Sequence, residues 1–294
     1  MGRITARRRV TRIRRGDDAV PALVSTRADL LAVEEPLEIR VDGVTLTVTM
    51  RTPGHDVELA TGLLLAEGII GAADDLVTAR YCAGTDADGA NTYNVLDVNL
   101  ASSAPPFDPS IARHLTTTSA CGICGTTSID AVRARSTHDP GTDPMQVDVD
   151  TLLALPDRLR AGQAVFDKTG GLHAAALFDA GTDGGGLDPL VLREDIGRHN
   201  AVDKVIGWAA QQGLLPLTGH ILQVSGRASF ELVQKAAMAG VPVLSAVSAP
   251  SSLAAELASE VGMTLAGFVR DDSLVLYSRA DRVHVPVGNP TPAG

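Results

Sequence analysis

Two patterns of apolar and polar residues predict the first elements of this chain. Apolar and polar residues alternate through PLEIRVDGVTLTVTMRT (36–52) on both sides of Asp42-Gly43, which predicts a β-hairpin with a tight turn. In HDVELATGLLLAEGII (55–70) the apolar residues instead recur at helical spacing, which predicts an amphipathic helix ending near Gly68. A strand, a turn and a helix in this order are typical of a small α+β unit.

The second half of the chain alternates predicted strands with predicted helices. Buried-type strands are expected at 172–179, 190–195, 220–226 and 241–248, with helical stripes between them and two closing strands after residue 262. Repeated β-α-β units imply a layered fold with helices covering a sheet, so we predict an α/β class, α+β overall. Three parts are predicted: a basic N-terminal arm at 1–30, a small α+β domain at 31–115, and an α/β domain at 116–288 that carries a cysteine motif.

Charge is unevenly distributed along the chain. The first fifteen residues hold seven arginines and no acidic residue, whereas the other 279 residues hold 18 basic and 35 acidic residues, a net charge of −17. An acidic body argues against broad nucleic-acid binding. The arm is interpreted as weakly ordered, either a solvated or edge-strand N-terminus or a docking tail for an acidic partner.

Composition also limits the compartment and the kind of protein. No run of about 18 apolar residues is present, so no membrane span is expected. The basic N-terminus has no apolar h-region behind it, so a secretory signal is not predicted. Three cysteines, an odd number, then favour a reducing cytoplasm over a disulfide framework.

Two of the three cysteines lie close together in SACGICGTTSID. Cys121 and Cys124 are each followed by glycine, and the segment after them (127–135) is predicted to be helical. Amide groups and the dipole at a helix N-terminus stabilise a thiolate, so this loop suits a nucleophilic cysteine. Cys82 is interpreted as a packing residue.

Three other roles for the cysteine pair stay open on the residues alone. Structural zinc needs four ligands, and the pair supplies two; any of His114, His138, His173 or His199 would have to complete the site. A CxxC pair can also close a thioredoxin-type disulfide, or it can be an inert buried pair.

Several turns between strands and helices combine glycine with polar side chains. Such turns line the carboxyl edge of an open α/β sheet, where ligands bind, and their amide groups favour an anionic, nucleotide-like ligand. The simpler interpretations are a tight turn at 169–171, a solvated helix start after 195 and a plain N-cap at Ser229. The candidate ligand-binding residues in these turns are Thr169, Gly170, Gly171, His173, Arg198, His199, Asn200, Ser225, Gly226 and Arg227.

A set of motifs resembles one known family. The motifs are RTPGHDVELATGLLLAEGII, SACGICG, FDKTGGLHAAALF, EDIGRHNAVDKVIG, SGRASFELVQKAAMAGVPVLSAVSAPSSLA and GFVRDDSLVLYS, which occur in this order between about residues 30 and 280. Together they resemble the FdhD family of formate dehydrogenase accessory sulfurtransferases. The N-terminal arm and the GTDGGG loop lie outside the resemblance.

The resemblance implies a specific activity. Members of this family take sulfur from a cysteine desulfurase as a cysteine persulfide and pass it to the molybdenum cofactor, bis-molybdopterin guanine dinucleotide, which formate dehydrogenase requires. It implies that Cys121 is the persulfide carrier and that Cys124 assists it. The implied fold of the C-terminal part is similar to cytidine deaminases without their zinc site, so no structural metal is expected.

The resemblance also implies a cofactor contact in the last strand–turn. That contact falls on Phe268, Val269, Arg270, Asp271, Asp272 and Ser273. The pattern alone predicts a hairpin turn here, and two of its residues would repel phosphate. We further expect a cytoplasmic homodimer with no nucleic-acid or membrane partner. A thiol–disulfide oxidoreductase and a non-enzymatic cofactor chaperone are the alternatives.

Overall fold

Four β-sheets and six α-helices make up the described part of the chain. The computed structural model describes residues 3–16, 21–82, 93–111, 132, 136–180 and 187–286. The strands are β1 Thr5–Arg14, β2 Leu23–Ala32, β3 Glu35–Val41, β4 Val44–Arg51, β5 Leu76–Tyr81, β6 Val95–Leu100, β7 Val147–Asp148, β8 His173–Asp179, β9 Val191–Asp195, β10 His220–Val224, β11 Val243–Ala246, β12 Thr264–Arg270, β13 Ser273–Ser278 and β14 Val283–His284. The helices are α1 Asp56–Ala66, α2 Val149–Gly162, α3 Phe166–Thr169, α4 Arg198–Gln211, α5 Phe230–Met238 and α6 Ser252–Glu260.

The largest sheet has six strands in the order β13-β12-β11-β10-β8-β9. Strands β10, β11 and β12 are parallel, and β9 has the same direction because both β9 and β10 pair antiparallel with β8. Apolar side chains cover both faces of this sheet: one face contributes to the main core with α1, α4, α5 and α6, and the other packs on α2. The mixed α/β class predicted from the alternation of strands and helices is confirmed.

The predicted hairpin at 36–52 is confirmed as β3 and β4. Asp42 and Gly43 both have positive φ, 49° and 80°, as a two-residue type I′ turn requires. These strands belong to a four-stranded sheet in the order β4-β3-β6-β5. The inward side chains of this sheet, such as Leu37 and Ile39, are fully buried in the main core.

Two glycines bring α1 and α4 into backbone contact. A Cβ atom added at Gly62 would overlap the backbone of Asp203, and one added at Gly207 would overlap the carbonyl group of Glu58. Only glycine permits helices to approach this closely. The small α+β unit is therefore joined to the large sheet through a continuous core, and the predicted boundary near residue 115 stays a prediction.

Of the interpretations given for residues 1–30, the described residues agree with a strand and not with a weakly ordered arm. β1 and β2 form an antiparallel ribbon in unbroken register from Thr5↔Ala32 to Arg14↔Leu23. The β-branched residues within this segment favour extended structure, and the arginines project from it without preventing strand pairing. Helix α2 continues through Pro156, which lies inside it.

A buried arginine connects the end of the described chain to its middle. Arg282 is 1% exposed and donates to the carbonyl oxygens of Pro140 at 2.6 Å, Gly262 at 2.7 Å and Asp143 at 3.0 Å. Beside these contacts β14 pairs in parallel with β7. Residues 280–284 therefore fix the segment that leads into α2.

No helix in the described part of the chain is both long enough and apolar enough to cross a bilayer.

Candidate functional site

Five polar turns lie at one edge of the six-stranded sheet. Strands β9 to β12 all end there because they have the same direction, and β8 and β13, which oppose them, begin there. The turns span residues 169–173, 195–200, 224–229, 246–252 and 268–273. This arrangement agrees with the expectation that the glycine-containing turns share one edge, and the 246–252 and 268–273 turns lie at the same edge.

Hydrogen bonds tie neighbouring turns together along this edge. The Ser225 amide donates to the carbonyl of Ala174 at 3.0 Å, and the Ala174 amide donates to the Ser225 hydroxyl oxygen at 2.9 Å. The Ser248 amide donates to the carbonyl of Gly226 at 3.3 Å, and the Phe268 amide donates to the carbonyl of Ser248, also at 3.3 Å. The edge is therefore a connected framework of backbone groups.

His173 lies next to the backbone of Gly226, which carries no side chain. A Cβ atom placed on Gly226 would be 3.5 Å from the Nδ1 atom of His173, so the glycine leaves the imidazole in close reach of that turn. Burial lowers the pKa of the half-buried His173, and the charges of Arg198 and His199 lower it further. A neutral imidazole that can donate or accept a hydrogen bond is the result.

The glycine turn before His173 is held by a carboxylate on the neighbouring strand. Glu194 accepts from the amides of Val165 at 2.8 Å and Phe166 at 2.7 Å, at the start of α3. Helix α3 then ends at Gly170, whose φ of 66° places it in the left-handed region. Thr169, Gly170 and Gly171 are thereby fixed beside β8.

Two side chains at the start of α5 meet His199. The Nε2 atom of His199 is 3.2 Å from the hydroxyl oxygen of Ser229 and 3.5 Å from a carboxylate oxygen of Glu231. The hydrogen bond with His199 is the main reason that the pKa of Glu231 is lowered to about 2. Ser229 occupies the N-cap position, but its hydroxyl makes no capping hydrogen bond. The N-cap position predicted for Ser229 is therefore confirmed, but its hydroxyl contacts His199 in place of a capping amide.

Arg198 is the first residue of helix α4, and the Nε donor of its guanidinium group is unpaired among the described residues. Its Nε atom is buried, and within the described part of the chain no acceptor lies in hydrogen-bonding range of it. Buried donors in native proteins are nearly always paired, so an unpaired one calls for an explanation. Among the described residues, Arg198 thus brings to this edge a positive charge and a buried N–H group that can donate a hydrogen bond to a ligand.

A buried network holds the turn that carries Arg198 and His199. Lys204 Nζ lies 2.6 Å from Asp195 Oδ2 and 2.9 Å from the carbonyl oxygen of Thr52, and the Thr52 amide donates to the same carboxylate oxygen at 3.1 Å. Asn200 Nδ2 donates to Asp195 Oδ1 at 3.0 Å. Lys204 and Asp195 are at most 1% exposed. The network therefore links the end of β4 to the start of α4.

The side chain of Asn200 is committed to this framework. Besides its contact with Asp195, its amide nitrogen donates to the carbonyl of Met50 at 2.7 Å, and its Oδ1 atom accepts from the Thr49 hydroxyl at 3.3 Å. Asn200 is 7% exposed. This geometry suits a positioning residue better than a ligand contact.

The 268–273 turn is a hairpin, as its pattern predicted. Arg270 pairs with Ser273, and Phe268 and Asp271 have positive φ of 52° and 40°. Val269 is fully buried, so its side chain belongs to the core. Arg270, Asp271, Asp272 and Ser273 are exposed, and the Arg270 guanidinium lies 5.9 Å from the Phe268 ring centroid.

The cysteine motif falls outside the described residues. Cys121, Cys124 and the predicted helix at 127–135 therefore remain sequence predictions, apart from Val132, which is buried in the main core. Within the described ranges no three His, Cys, Asp or Glu residues are grouped as metal ligands. Cys82, half-buried after β5, is a free thiol.

The sequence did not predict the contacts that Lys204, Ser229 and Glu231 make in this site. Lys204 carried a usable signal, because it lies among the apolar residues that form the helical stripe of α4, where an unpaired lysine would not be tolerated. The contacts of Ser229 and Glu231 join residues about thirty positions from His199, and no local pattern reveals such a contact.

Comparison with known proteins gives a consistent result over nearly the whole chain. The model of the FdhD/NarQ family matches residues 32–284. A protein of Mycolicibacterium paratuberculosis named sulfur carrier protein FdhD is 58% identical over 280 residues, covering 95% of this chain and 99% of the relative. A protein of the same name from Nocardia farcinica is 57% identical and covers 96% of both chains.

One solved structure shares the fold at low sequence identity. It is a crystal structure of a candidate formate dehydrogenase accessory protein from Desulfotalea psychrophila, with a TM-score of 0.72 and 19% identity. The similarity covers 96% of this chain and all of that one.

Proposed function

Because this chain belongs to the FdhD/NarQ family, we propose that it is a sulfur carrier that acts as an accessory protein of formate dehydrogenase. The observation that carries the proposal is the 58% identity, over almost the full length of both chains, to a protein named as a sulfur carrier. The matched range of the family model, residues 32–284, includes all five turns at the sheet edge. The same residues are therefore expected to serve the same chemistry.

The proposed carrier atom is the sulfur of Cys121. A thiolate at this position attacks the outer sulfur of a persulfide on a cysteine desulfurase, and the sulfur–sulfur bond of the donor breaks. The donor cysteine leaves as a thiolate, and Cys121 becomes the persulfide, so this exchange needs no net oxidant or reductant. Cys124 is proposed to assist the exchange. Glycines on both sides of the pair favour access for two different partners.

The proposed acceptor of the sulfur is the molybdenum cofactor, bis-molybdopterin guanine dinucleotide, bound as a substrate. Its pyrophosphate groups are anionic and suit backbone amides and arginines at the ends of strands. The spare Nε donor of Arg198, the neutral imidazole of His173 and the glycine backbone at 170–171 support binding at the sheet edge. We propose direct contacts from Arg198, His199 and Arg227, with Asn200 holding their turn in place.

The 268–273 turn is proposed to contribute backbone contacts and Arg270. Asp271 and Asp272 are exposed and oppose phosphate, so they are expected to face away from the pyrophosphate groups. Val269 contributes only through its backbone because its side chain is buried. The proposed setting is the cytoplasm, with cysteine desulfurase and the formate dehydrogenase apo-enzyme as successive partners.

Intact-protein mass spectrometry after incubation with a cysteine desulfurase and cysteine tests this function. A reductant-labile gain of one sulfur, about 32 Da, is expected in the wild type and in Cys82→Ser, and is lost in Cys121→Ser. Retention of the adduct in Cys121→Ser refutes the assignment of the carrier. A loss of two hydrogen atoms without added sulfur, abolished equally by Cys121→Ser and Cys124→Ser, identifies a disulfide between the two cysteines and hence a thiol–disulfide oxidoreductase instead.

A further inference from the structure

Helices α4 and α5 are joined by two side-chain contacts that lie one helical turn apart. At the sheet edge His199 contacts Ser229 and Glu231. One turn further along each helix, the Nζ atom of Lys235 lies 2.8 Å and 3.0 Å from the two carboxylate oxygens of Asp203. Asp203 is 2% and Lys235 is 7% exposed, so this second contact is a buried ion pair. The buried pair holds the starts of α4 and α5 together, and with them the contact at His199.

Glu231 accepts hydrogen bonds and cannot donate them near neutral pH. The hydrogen bond with His199 is the main cause that lowers the pKa of Glu231 to about 2, and a hydrogen bond with Ser229 lowers it as well. The carboxyl group is therefore charged at neutral pH, and a charged carboxylate has no hydrogen to donate. Both neighbouring side chains must then donate toward it.

This carboxylate sets the direction of the hydrogen bonds at His199. The Ser229 hydroxyl has one hydrogen, which it donates to Glu231, so its oxygen accepts from the Nε2–H group of the imidazole 3.2 Å away. The opposite arrangement would place an Nε2 lone pair 3.5 Å from a charged carboxylate oxygen, which is unfavourable. In its neutral form His199 therefore carries its hydrogen on Nε2 and has a lone pair on Nδ1.

The Nδ1 atom of His199 is available to a ligand of the sheet edge. Within the described part of the chain it has no hydrogen-bond partner, and the side chain is 35% exposed. Titratable groups near the ring include Glu231 on α5, Asp203 on α4 and His173 on β8. Arg198 lies beside it in the same turn and brings the positive charge that suits phosphate.

We propose that Ser229 and Glu231 are positioning residues that hold neutral His199 with its hydrogen on Nε2, so that Nδ1 accepts a hydrogen bond from the ligand. A phosphate oxygen accepts hydrogen bonds, so it does not match this atom. The matching group is an N–H donor of a base, and guanine has such donors. Arg198 and Arg227 then serve the pyrophosphate, and His199 serves the guanine. The choice of guanine rests on the proposed function, whereas the position of the hydrogen in His199 does not.

Nitrogen NMR of isotopically labelled histidine side chains tests the position of the hydrogen, because a ring nitrogen changes its chemical shift when it gains a hydrogen. At about pH 9, above the ordinary range of imidazole, the Nε2–H form is expected for His199, whose signals are assigned with His199→Gln. His220 is the internal control: its Nδ1 atom lies 2.6 Å from the carbonyl oxygen of Thr218, so its hydrogen is on Nδ1. An Nδ1–H form of His199 overturns the proposal.

Two variants test whether Ser229 and Glu231 position the ring. Ser229→Ala and Glu231→Gln are each expected to leave neutral His199 as a mixture of both forms, because the direction of the hydrogen bonds is no longer set. Ser229→Thr keeps the hydroxyl and is expected to keep the Nε2–H form. Ser259→Ala, at an exposed serine on α6, is the control and is expected to keep it too. A pure Nε2–H form in both Ser229→Ala and Glu231→Gln overturns the positioning role.

Titration calorimetry with two probes tests the ligand group. Guanosine diphosphate carries the base, and inorganic pyrophosphate does not. Ser229→Ala is expected to lower the affinity for guanosine diphosphate roughly fivefold, the loss of about one hydrogen bond, and to leave the affinity for pyrophosphate unchanged. An equal loss for both probes places His199 at the phosphate and overturns the choice of guanine. A wild type that binds neither probe refutes the proposed cofactor site and the choice of guanine with it, whereas the form of His199 is still read by NMR.

Discussion

Lys204 and Asp195 form a 2.6 Å ion pair in which neither side chain is more than 1% exposed. The pair joins the first turns of α4 to the end of β9, and the lysine also donates to the carbonyl of Thr52 after β4. Burial of a charge is costly unless the charge is paired and hydrogen-bonded, and here both conditions are met. The pair thus fixes the turn of Arg198 and His199 relative to two sheets.

Lys204→Met is expected to destabilise the protein because it leaves the Asp195 carboxylate buried without its cation. Removal of one partner of a buried pair costs about 3–5 kcal/mol in the free energy of unfolding. Urea denaturation followed by circular dichroism measures this change. The control is Lys168→Met, an exposed lysine on α3, for which a change below about 0.5 kcal/mol is expected. Equal effects of the two variants would contradict the role of the pair.

Gly207→Ala is expected to force α1 and α4 apart. The added methyl group would overlap the backbone carbonyl of Glu58, which cannot move aside as a flexible side chain can. Overpacking of this kind costs about 1–3 kcal/mol, and thermal unfolding measures it. Gly71→Ala is the matched control, because its nearest neighbour would be a carboxylate oxygen of Asp75 at 3.8 Å. A Gly207→Ala protein as stable as Gly71→Ala would show that the two helices are not in backbone contact.

Glu231→Gln is expected to reduce the loss of stability in acid. The pKa of Glu231 is lowered from 4.5 to about 2, so its charged form stabilises the folded state fully above about pH 4.5, and this contribution is lost as the pH falls through about 2. Solvent screening of the half-exposed pair keeps the effect below about 1 kcal/mol. Unfolding by urea at pH values from about 5 to 2 measures it. The control is Glu256→Gln on α6, since Glu256 has no ion pair among the described residues. This variant is expected to show the wild-type dependence of the free energy of unfolding on pH.

Arg198→Gln is expected to weaken binding of a guanine nucleotide used as a probe for the cofactor arms. Loss of a charge-assisted hydrogen bond to phosphate corresponds to roughly a tenfold fall in affinity, measured by titration calorimetry with guanosine diphosphate. Arg158→Gln removes an arginine that pairs with Asp188, near the opposite edge of the sheet, and serves as the control. An unchanged affinity in Arg198→Gln would remove Arg198 from the proposed contacts.

The sequence predicts those parts of the fold whose hydrophobic pattern has the period of a strand or a helix over a short stretch of chain. Strand and helix periodicity predicts β8 to β13 and their helices, and the common direction of β9 to β12 follows from the β-α-β order. The convergence of glycine turns at one edge follows from the same argument. Local structure was therefore predictable because the signal lies within about ten residues of chain.

Contacts between distant segments were beyond such reasoning. The meeting of His199 with Ser229, and of Lys204 with Thr52, depends on how helices pack on the sheet, which sequence periodicity does not encode. An edge strand was one interpretation of the N-terminal segment, but the pairing of β1 with β2 was not predicted, because dense charge concealed the extended pattern of β-branched residues. The density of charge in a segment indicates which surfaces attract it, whereas the strand propensity of its residues indicates the conformation of its backbone.

The buried Arg282 has a consequence for the order in which the protein is completed during synthesis. The ribosome makes the chain from its N-terminus, yet residues 140–143 receive their guanidinium partner only from one of the last residues described. Strand β7 likewise waits for β14. The segment that leads into α2 is thus closed only after translation has passed residue 282, and a chain that terminates early is left with that segment open.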